Sequence, residues 1–194
     1  MSKYYAVKNG RKIGVFNTWE ECEKQVKGYS NAIFKSFSSK EDALAFIEDK
    51  KVIENIEGII AYVDGSYNVK TKEYGYGCVI IEGGKVIKEI LGKNKDIDLM
   101  RNVSGEIQGC LKAIEYGIEN HYPFICIYYD YTGIEKWAIK EWKANKRGTI
   151  EYQNKIQQYN QKINISFMKV LAHSGDYYNE RADKLAKKAV GILE

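Results

Sequence analysis

The sequence lacks several features that would place the chain in a particular class of protein. Only four of its 194 residues are cysteines, and no two of them form a C-x-x-C pair. We therefore expect reduced thiols rather than a disulfide framework or a zinc site. No apolar run approaches the length of a membrane span, and the first residues lack the apolar stretch of a signal peptide. These absences predict a cytoplasmic protein that has no membrane partner.

An excess of one charge and low-complexity segments are also missing. The formal net charge is only +4, from 30 Lys and Arg against 26 Asp and Glu. A chain with so little excess charge needs local basic patches to bind a nucleic acid. Pro123 is the only proline, and we find no internal repeat. The remaining composition, 44% hydrophobic and 29% charged, is ordinary for a globular protein of one domain or two small ones.

The first 48 residues predict a small unit with the element order ββαβα. Asn9-Gly10 is the strongest two-residue hairpin signal and would join the first two strands. Thr18 with Glu21 three residues later forms a capping box, so a helix is expected to begin there. The elements expected in this unit are strands at 4–8, 12–16 and 32–37, and helices at 18–28 and 38–48.

Residues 49–57 are charged and follow neither a helical nor a strand period, so we interpret them as a short linker. Residues 58–194 predict a mixed sheet covered by helices, because three antiparallel strands precede alternating helices and strands. The predicted fold class is therefore α/β. The elements expected here are strands at 59–67, 73–81, 85–91, 124–129 and 165–170, helices at 103–119, 150–160 and 179–192, and a helical stretch containing Trp137 and Trp142. The strands at 73–81 and 85–91 are expected to form a hairpin across Gly83-Gly84.

Four carboxylates occupy positions where an acid is unfavourable unless its charge is compensated. Asp64 lies late in an apolar strand, and Asp130 ends another. A helix turns by about 100° per residue, and at this rotation Glu106 and Asp183 fall at the border of the apolar faces of their helices. Taken singly, each acid has an ordinary interpretation as a turn aspartate or a solvated helical glutamate. Together they indicate a cation site, and oxygen ligands of this kind suit Mg²⁺ or Mn²⁺.

The setting of these acids resembles that of the ribonuclease H family. In that family the first strand ends in Asp-Gly-Ser, as Asp64-Gly65-Ser66 does here. The first helix of the family begins with an Asn and has a Glu four residues later, as Asn102 and Glu106 do.

The C-terminal part of the family pattern is matched as well. There the last strand leads to His-Ser/Ala-Gly and then Asn-Glu-x-x-Asp, as in His173-Ser174-Gly175 and Asn179-Glu180-x-x-Asp183. The likeness covers residues 58–194 and points to the type 1 enzymes. It implies a five-stranded mixed sheet with helices on both faces.

The resemblance implies hydrolysis of the RNA strand of an RNA–DNA hybrid, leaving 5′-phosphate and 3′-hydroxyl ends. Two Mg²⁺ ions would support the reaction, with Mn²⁺ as an alternative. His173 would move protons or assist product release, and Glu180 would have an accessory role near the metals. The implied metal ligands are Asp64, Glu106, Asp130 and Asp183.

The resemblance also implies where the catalytic unit contacts nucleic acid. Asn102 would read the 2′-hydroxyl that distinguishes RNA from DNA. Asp130-Tyr131-Thr132 departs from the usual Asp-Ser-Gln or Asp-Ser-Met, so a contact to the RNA backbone is expected to differ. We interpret Trp137 as a core residue. The implied contact residues are Ser66, Asn68, Arg101, Asn102 and Trp142, the last on a partly retained basic protrusion.

The N-terminal unit resembles the hybrid-binding, caulimovirus viroplasmin-like domain over residues 3–48. The match includes Tyr5-Ala6-Val7, Thr18-Trp19 and Phe34-Lys35-x-Phe37. It implies that Trp19 and Phe34 pack on DNA sugars, that Lys35 contacts a phosphate and that Tyr5 belongs to the same surface. The alternative is that these aromatic side chains form the core of a very small domain.

Three functions remain open at this point. The first is a monomeric ribonuclease H whose N-terminal domain raises affinity for the hybrid and also accepts double-stranded RNA. The second is a non-catalytic protein that binds hybrids or double-stranded RNA, against which the complete set of four acids argues. The third is a nuclease or transposase of the same fold that cuts DNA, against which Asn102 and the N-terminal domain argue.

Overall fold

The structure is a computed structural model that describes residues 3–40, 42–44, 46–47, 57–170 and 176–193. The chain divides into two compact units, Met1–Ile56 and Glu57–Glu194. The predicted linker at 49–57 lies, except for Glu57, outside the described residues.

The first unit contains an antiparallel sheet with strand order β2-β1-β3 and a helix. Its described core consists of Val7, Cys22 and Val26. The side chain of Thr18 accepts a hydrogen bond from the backbone N–H of Glu21, which is the predicted start of the helix. Of the second predicted helix, residues 40, 42–44 and 46–47 are helical among the described residues. The elements are β1 (Tyr4–Asn9), β2 (Gly14–Phe16), α1 (Trp19–Val26) and β3 (Ile33–Phe37).

The prediction of a two-residue turn at Asn9-Gly10 is wrong. The pairing of β1 with β2 ends where Val7 lies opposite Gly14, so a longer loop joins the strands. Within this loop the guanidinium of Arg11 donates hydrogen bonds to the carbonyls of Lys24 and Lys27, at 3.0 and 2.8 Å. Because the last carbonyls of a helix lack partners within the helix, this contact with the end of α1 is favourable and holds the loop away from a tight turn.

The second unit contains the predicted five-stranded mixed sheet, with strand order β6-β5-β4-β7-β8. The pairs β4–β5 and β5–β6 are antiparallel, whereas β4–β7 and β7–β8 are parallel. The strands are β4 (Ile59–Asn68), β5 (Glu73–Glu82), β6 (Lys85–Lys95), β7 (Phe124–Tyr129) and β8 (Asn164–Lys169), and the helices are α2 (Asn102–Glu119), α3 (Gly133–Ala138), α4 (Arg147–Tyr159) and α5 (Tyr177–Ala189).

Helices cover both faces of this sheet. Because side chains alternate along a strand, Ala61 and Val63 on β4 face the core cluster that includes α2. Tyr62 points to the opposite face, where its ring lies 5.4 Å from that of Tyr178 on α5. The central strand β4 is therefore enclosed from both sides.

Two local predictions in this unit had different outcomes. Gly83 and Gly84 both have positive φ, at 53° and 77°, which makes the tight turn of the predicted β5–β6 hairpin. The helical stretch that was expected to contain Trp137 and Trp142 ends at Ala138 instead. Lys140 adopts a left-handed φ of 63°, a conformation that terminates helices, so Trp142 lies beyond α3.

The four cysteines are free and buried, as expected for reduced thiols. Among the described residues, no helix combines the length and apolar character that crossing a bilayer requires.

Candidate active site

Glycines bring the two helices that carry acids directly onto the backbone of the sheet. A Cβ at Gly65 would collide with the carbonyl oxygen of Asn102, and a Cβ at Gly105 would collide with that of Gly75. The first turns of α2 therefore touch β4 and β5 without intervening side chains, which places Glu106 beside Asp64.

Two more glycines allow a helix to approach the backbone on the other face of the sheet. A Cβ at Gly75 would collide with the carbonyl oxygen of Ala186, and one at Gly77 with that of Ala182. Gly77 lies directly opposite Asp64 in the β4–β5 ladder. Helix α5 can therefore approach the strand that carries Asp64, and this contact explains the Gly75-Tyr76-Gly77 sequence inside a strand.

Three of the predicted acids meet at one edge of the sheet. Asp64 lies on β4, Glu106 lies near the start of α2, and Asp130 directly follows β7. One carboxylate oxygen from each lies within 4.8 Å of the other two. Asp64 and Glu106 are only 9% and 5% exposed, so these charges have little access to solvent.

The electrostatics of this cluster are unfavourable in the protein alone. Burial, followed by the negative charge of Asp130, raises the pKa of Asp64 to about 7. Burial, followed by the charges of Asp130 and Asp64, raises the pKa of Glu106 to about 9. Hydrogen bonds from the backbone N–H groups of Gly65 to Asp64 and of Tyr131 to Glu106 oppose these shifts only in part.

The cluster fits divalent cations. Its ligand atoms are all carboxylate oxygens, which are the donors that Mg²⁺ and Mn²⁺ prefer. Glu106 Oε2 is buried and has no hydrogen-bond partner among the described residues. A buried acceptor of this kind is unfavourable unless a ligand satisfies it. A cation bound between the three acids would satisfy Glu106 Oε2 and neutralise the repulsion.

The fourth predicted acid, Asp183, stands apart from the other three. Its charge contributes to the raised pKa of Asp64, so the two groups interact. However, Asp183 Oδ2 lies 2.7 Å from Nζ of Lys187 on the same helix, and it does not belong to the close cluster.

Comparison with known proteins decides the family. The RNase H model matches residues 57–191, and the model of the ribonuclease H1 N-terminal domain matches residues 3–47. The chain belongs to the ribonuclease H family. It is similar to human Ribonuclease H1, at 26% identity with 95% of this chain and 88% of the relative covered. It is 33% identical to the Ribonuclease H of Francisella tularensis subsp. novicida, with 70% of this chain and 92% of the relative covered.

A solved structure shares the fold of the catalytic unit. It is the crystal structure of LC11-RNase H1 in complex with an RNA/DNA hybrid, with a TM-score of 0.58 and 20% identity. The match covers 69% of this chain and 97% of that chain. The ribonuclease H fold predicted from the sequence is thereby confirmed.

The other residues that the ribonuclease H pattern singled out have varied surroundings. Glu180 is exposed on α5, whereas Asn179 beside it is buried and its Oδ1 lacks a hydrogen-bond partner in the described part of the chain. His173 and the rest of residues 171–175 lie outside the described residues, so its role stays a prediction.

Arg101 and Asn102 are exposed at the start of α2, four to five residues before Glu106. Ser66 is 8% exposed on the face covered by α5, which leaves little of it for a ligand. Asn68 donates a hydrogen bond to the carbonyl of Val190 and accepts others from the backbone of Lys70 and Thr71. Because both ends of its amide are occupied, Asn68 stabilises the end of β4, and we do not include it in the proposed interface.

A cleft of about 410 Å³ is lined by Leu99, Trp137 and Tyr131, the residue that follows Asp130 in the chain. Lys143 and Lys146 supply positive charge to its wall. Trp137 also packs against the core, so its predicted core position is only part of its role. The ring of Trp142 is 42% exposed and meets that of Trp137 edge-on, with 5.9 Å between centroids.

In the N-terminal unit the predicted aromatic residues form a surface cluster. The ring of Trp19 lies 5.8 Å from Tyr5 and 5.6 Å from Phe34, measured between centroids. Trp19 and Phe34 are 43% and 42% exposed, which excludes the alternative that they form the core. Lys35 is exposed next to Phe34, and its Nζ lies over the ring of Phe37.

Proposed function

We propose that this protein is a ribonuclease H that cleaves the RNA strand of RNA–DNA hybrids in a reaction that depends on divalent metal ions. The observation that carries the proposal is the close cluster of Asp64, Glu106 and Asp130 in a chain of this family. The relatives named Ribonuclease H1, and the related fold that binds an RNA/DNA hybrid, agree with this substrate.

We propose that Asp64, Glu106 and Asp130 hold two Mg²⁺ ions, or Mn²⁺ in their place, and that Asp183 joins them after leaving Lys187. Bound cations would supply electrophilic activation of the scissile phosphate and of the attacking water, giving 5′-phosphate and 3′-hydroxyl ends. The protein supplies rigidity, because the three acids are fixed on the central strand, on a buried helix and at the end of β7. Acids held in place in this way need little rearrangement during the reaction.

Other residues would assist at the edge of the site. His173 would move protons or assist product release, and the exposed Glu180 would act near the metals. Both assignments follow from the family pattern.

Recognition of the two strands would involve different surfaces. Asn102 and Arg101, exposed beside Glu106, would meet the RNA strand in the minor groove, where the 2′-hydroxyl is accessible. The basic cleft next to Trp142 would receive the DNA strand. The cluster of Tyr5, Trp19 and Phe34 would stack on the hybrid and raise the affinity of the protein for it. We further propose that the protein acts as a cytoplasmic monomer and that its N-terminal domain also accepts double-stranded RNA.

Cleavage of end-labelled substrates tests this function. The full-length protein should cut an RNA–DNA hybrid in Mg²⁺ or Mn²⁺, and it should leave single-stranded RNA and duplex DNA largely intact. EDTA should stop the reaction. A protein that binds the hybrid but does not cleave it in either metal would instead be a non-catalytic binding protein. Efficient cleavage of duplex DNA would indicate a nuclease or transposase of the same fold that cuts DNA.

A further inference from the structure

We propose that Asp96 is a positioning residue that holds the start of α2 in the conformation required to recognise the RNA strand. The inference rests on the proposed function, because it concerns how Arg101 and Asn102 are presented to the hybrid. Asp96 lies directly after β6, outside the acid cluster, and we do not expect it to touch the substrate.

The carboxylate of Asp96 is buried, at 7% exposure, and accepts three hydrogen bonds. The donors are the backbone N–H groups of Met100 and Arg101, at 3.1 and 2.7 Å, and the hydroxyl of Ser104, at 2.8 Å. Its charge is therefore compensated by hydrogen bonds within the protein. This distinguishes Asp96 from Glu106, which retains a buried oxygen without a partner among the described residues.

These bonds hold the turn that caps the start of α2. Arg101 stands at the N-cap of α2, and its own side chain makes no capping hydrogen bond. The first N–H groups of a helix have no partner within the helix, so an acceptor must come from elsewhere. Here the carbonyls of Met100 and Arg101 accept hydrogen bonds from the N–H groups of Val103 and Ser104. Asp96 fixes Met100 and Arg101 through their own N–H groups, and its negative charge at this end of α2 is favourable.

The backbone that Asp96 holds is in an unusual conformation. Leu99 has a φ of 52°, and Arg101 has φ 56° with ψ −127°. Residues other than glycine rarely adopt these values, so the surrounding contacts must maintain them. The bonds from Met100 and Arg101 to Asp96 act directly on this segment.

The orientation of the exposed residues follows from that conformation. On one side the carbonyl of Asn102 packs against Gly65, where no Cβ would fit. On the other side Nζ of Lys146 contacts the carbonyls of Asp98 and Leu99, at 3.5 and 3.4 Å. The hydrogen bonds to the buried carboxylate of Asp96 support the same segment from the protein interior. Release of its bonds would let Arg101 and Asn102 move relative to Glu106 while the acid cluster stays assembled.

Asp96→Asn in the full-length protein tests the inference, with Asp98→Asn as the matched control. Asp98→Asn removes the same charge from the same loop but leaves the three hydrogen bonds intact. The measurement is the ratio of kcat/KM for an RNA–DNA hybrid to that for a hybrid with a single 2′-deoxy substitution beside the cut. Asp96→Asn should lower this ratio by roughly tenfold, the effect expected when one hydrogen bond to the substrate is lost, and Asp98→Asn should preserve it.

A double-mutant cycle separates positioning from a general loss of stability. Asn102→Ala should lower the same ratio, and adding Asp96→Asn to it should lower the ratio no further, because both changes remove one recognition contact. If Asp96→Asn does not fold, Ser104→Ala, which removes one of the three donors, should give a smaller loss in the same direction.

Two results would overturn the role of Asp96: an unchanged ratio in Asp96→Asn or Ser104→Ala, or an equal loss in Asp98→Asn. Failure of the wild-type protein to cleave the hybrid would instead refute the proposed function. The two failures are therefore distinguishable.

Discussion

Asp183 Oδ2 lies 2.7 Å from Nζ of Lys187, one turn further along α5. Lys187 also lowers the pKa of Asp64, against the burial that raises it. The protein therefore carries a positive charge of its own beside the acids. This lysine forms an ion pair with the carboxylate that the family pattern assigns as the fourth metal ligand.

Replacing Lys187 by Met should strengthen the binding of divalent cations, because it removes a competing charge and frees Asp183. A partly exposed ion pair contributes about 0.2–1 kcal/mol, so the half-saturating Mg²⁺ concentration should fall by up to about fivefold. Calorimetric titration of the full-length protein with Mg²⁺ measures this change. Lys188→Met, at an exposed position on the same helix, is the control. An equal or weaker affinity in Lys187→Met would show that the lysine does not compete with metal.

Asp64→Asn and Asp130→Asn should each lower the rate of hybrid cleavage by several orders of magnitude, because each removes a charge that holds the metals. Hybrid binding should largely survive, since Trp19 and Phe34 lie in a separate unit. Single-turnover cleavage and fluorescence anisotropy measure the two properties, and Asp98→Asn serves as a control for loss of an acid outside the cluster. Near-normal cleavage by Asp130→Asn would refute the site assignment.

The repulsion in the acid cluster should appear as a pH-dependent stability of the metal-free protein. The folded-state pKa values of Asp64 and Glu106 are raised to about 7 and about 9, so the protonated carboxyls are favoured in the folded state. Their contribution is complete below the ordinary pKa values of about 4 and is lost as the pH rises through about 7 and about 9. Glu106→Gln mimics the protonated form, so it should raise the melting temperature at pH 9 by several degrees and change it little at pH 4.

Thermal unfolding in EDTA between pH 4 and pH 9 measures this difference, with Glu119→Gln at the exposed end of the same helix as the control. Added Mg²⁺ should raise the melting temperature of the wild type at pH 9, because it binds only the folded site. It should raise that of Glu106→Gln less. If the melting temperatures of the wild type and Glu106→Gln depend on pH in the same way, the result would contradict the proposed burial of repelling charges.

Trp19→Ala should weaken binding of the hybrid far more than it slows the maximal rate. Stacking of one aromatic ring on a nucleic acid contributes about 1–3 kcal/mol, and a second linked binding site raises the apparent affinity of the first. Steady-state cleavage of a long hybrid at several salt concentrations gives the half-saturating concentration. Tyr29→Ala, an exposed aromatic residue of the same unit outside the Tyr5–Trp19–Phe34 cluster, is the control. Equal half-saturating hybrid concentrations for the wild type, Trp19→Ala and Tyr29→Ala would show that this surface does not bind hybrids.

Local sequence was sufficient where neighbours in the chain determine the structure. The cap at Thr18 and the turn at Gly83-Gly84 depend on residues within a few positions, and both were predicted. The two-residue turn at Asn9-Gly10 was equally well indicated but does not form, because Arg11 binds the distant end of α1. At Asn9-Gly10 a strong local preference therefore failed because a contact with another element was stronger.

The sequence by itself determined which acids are candidates, because Asp64, Asp130 and Glu106 stand at recognisable points of apolar strands and of a helix. Only the tertiary structure decided that these three meet while Asp183 pairs with Lys187. The approach of α2 and α5 to the sheet depends on glycine backbones touching across elements, and the raised pKa values depend on burial that several elements create together. The role of Asp96 was also invisible in the sequence, since nothing in its local pattern shows that its carboxylate turns inward to hold the start of α2.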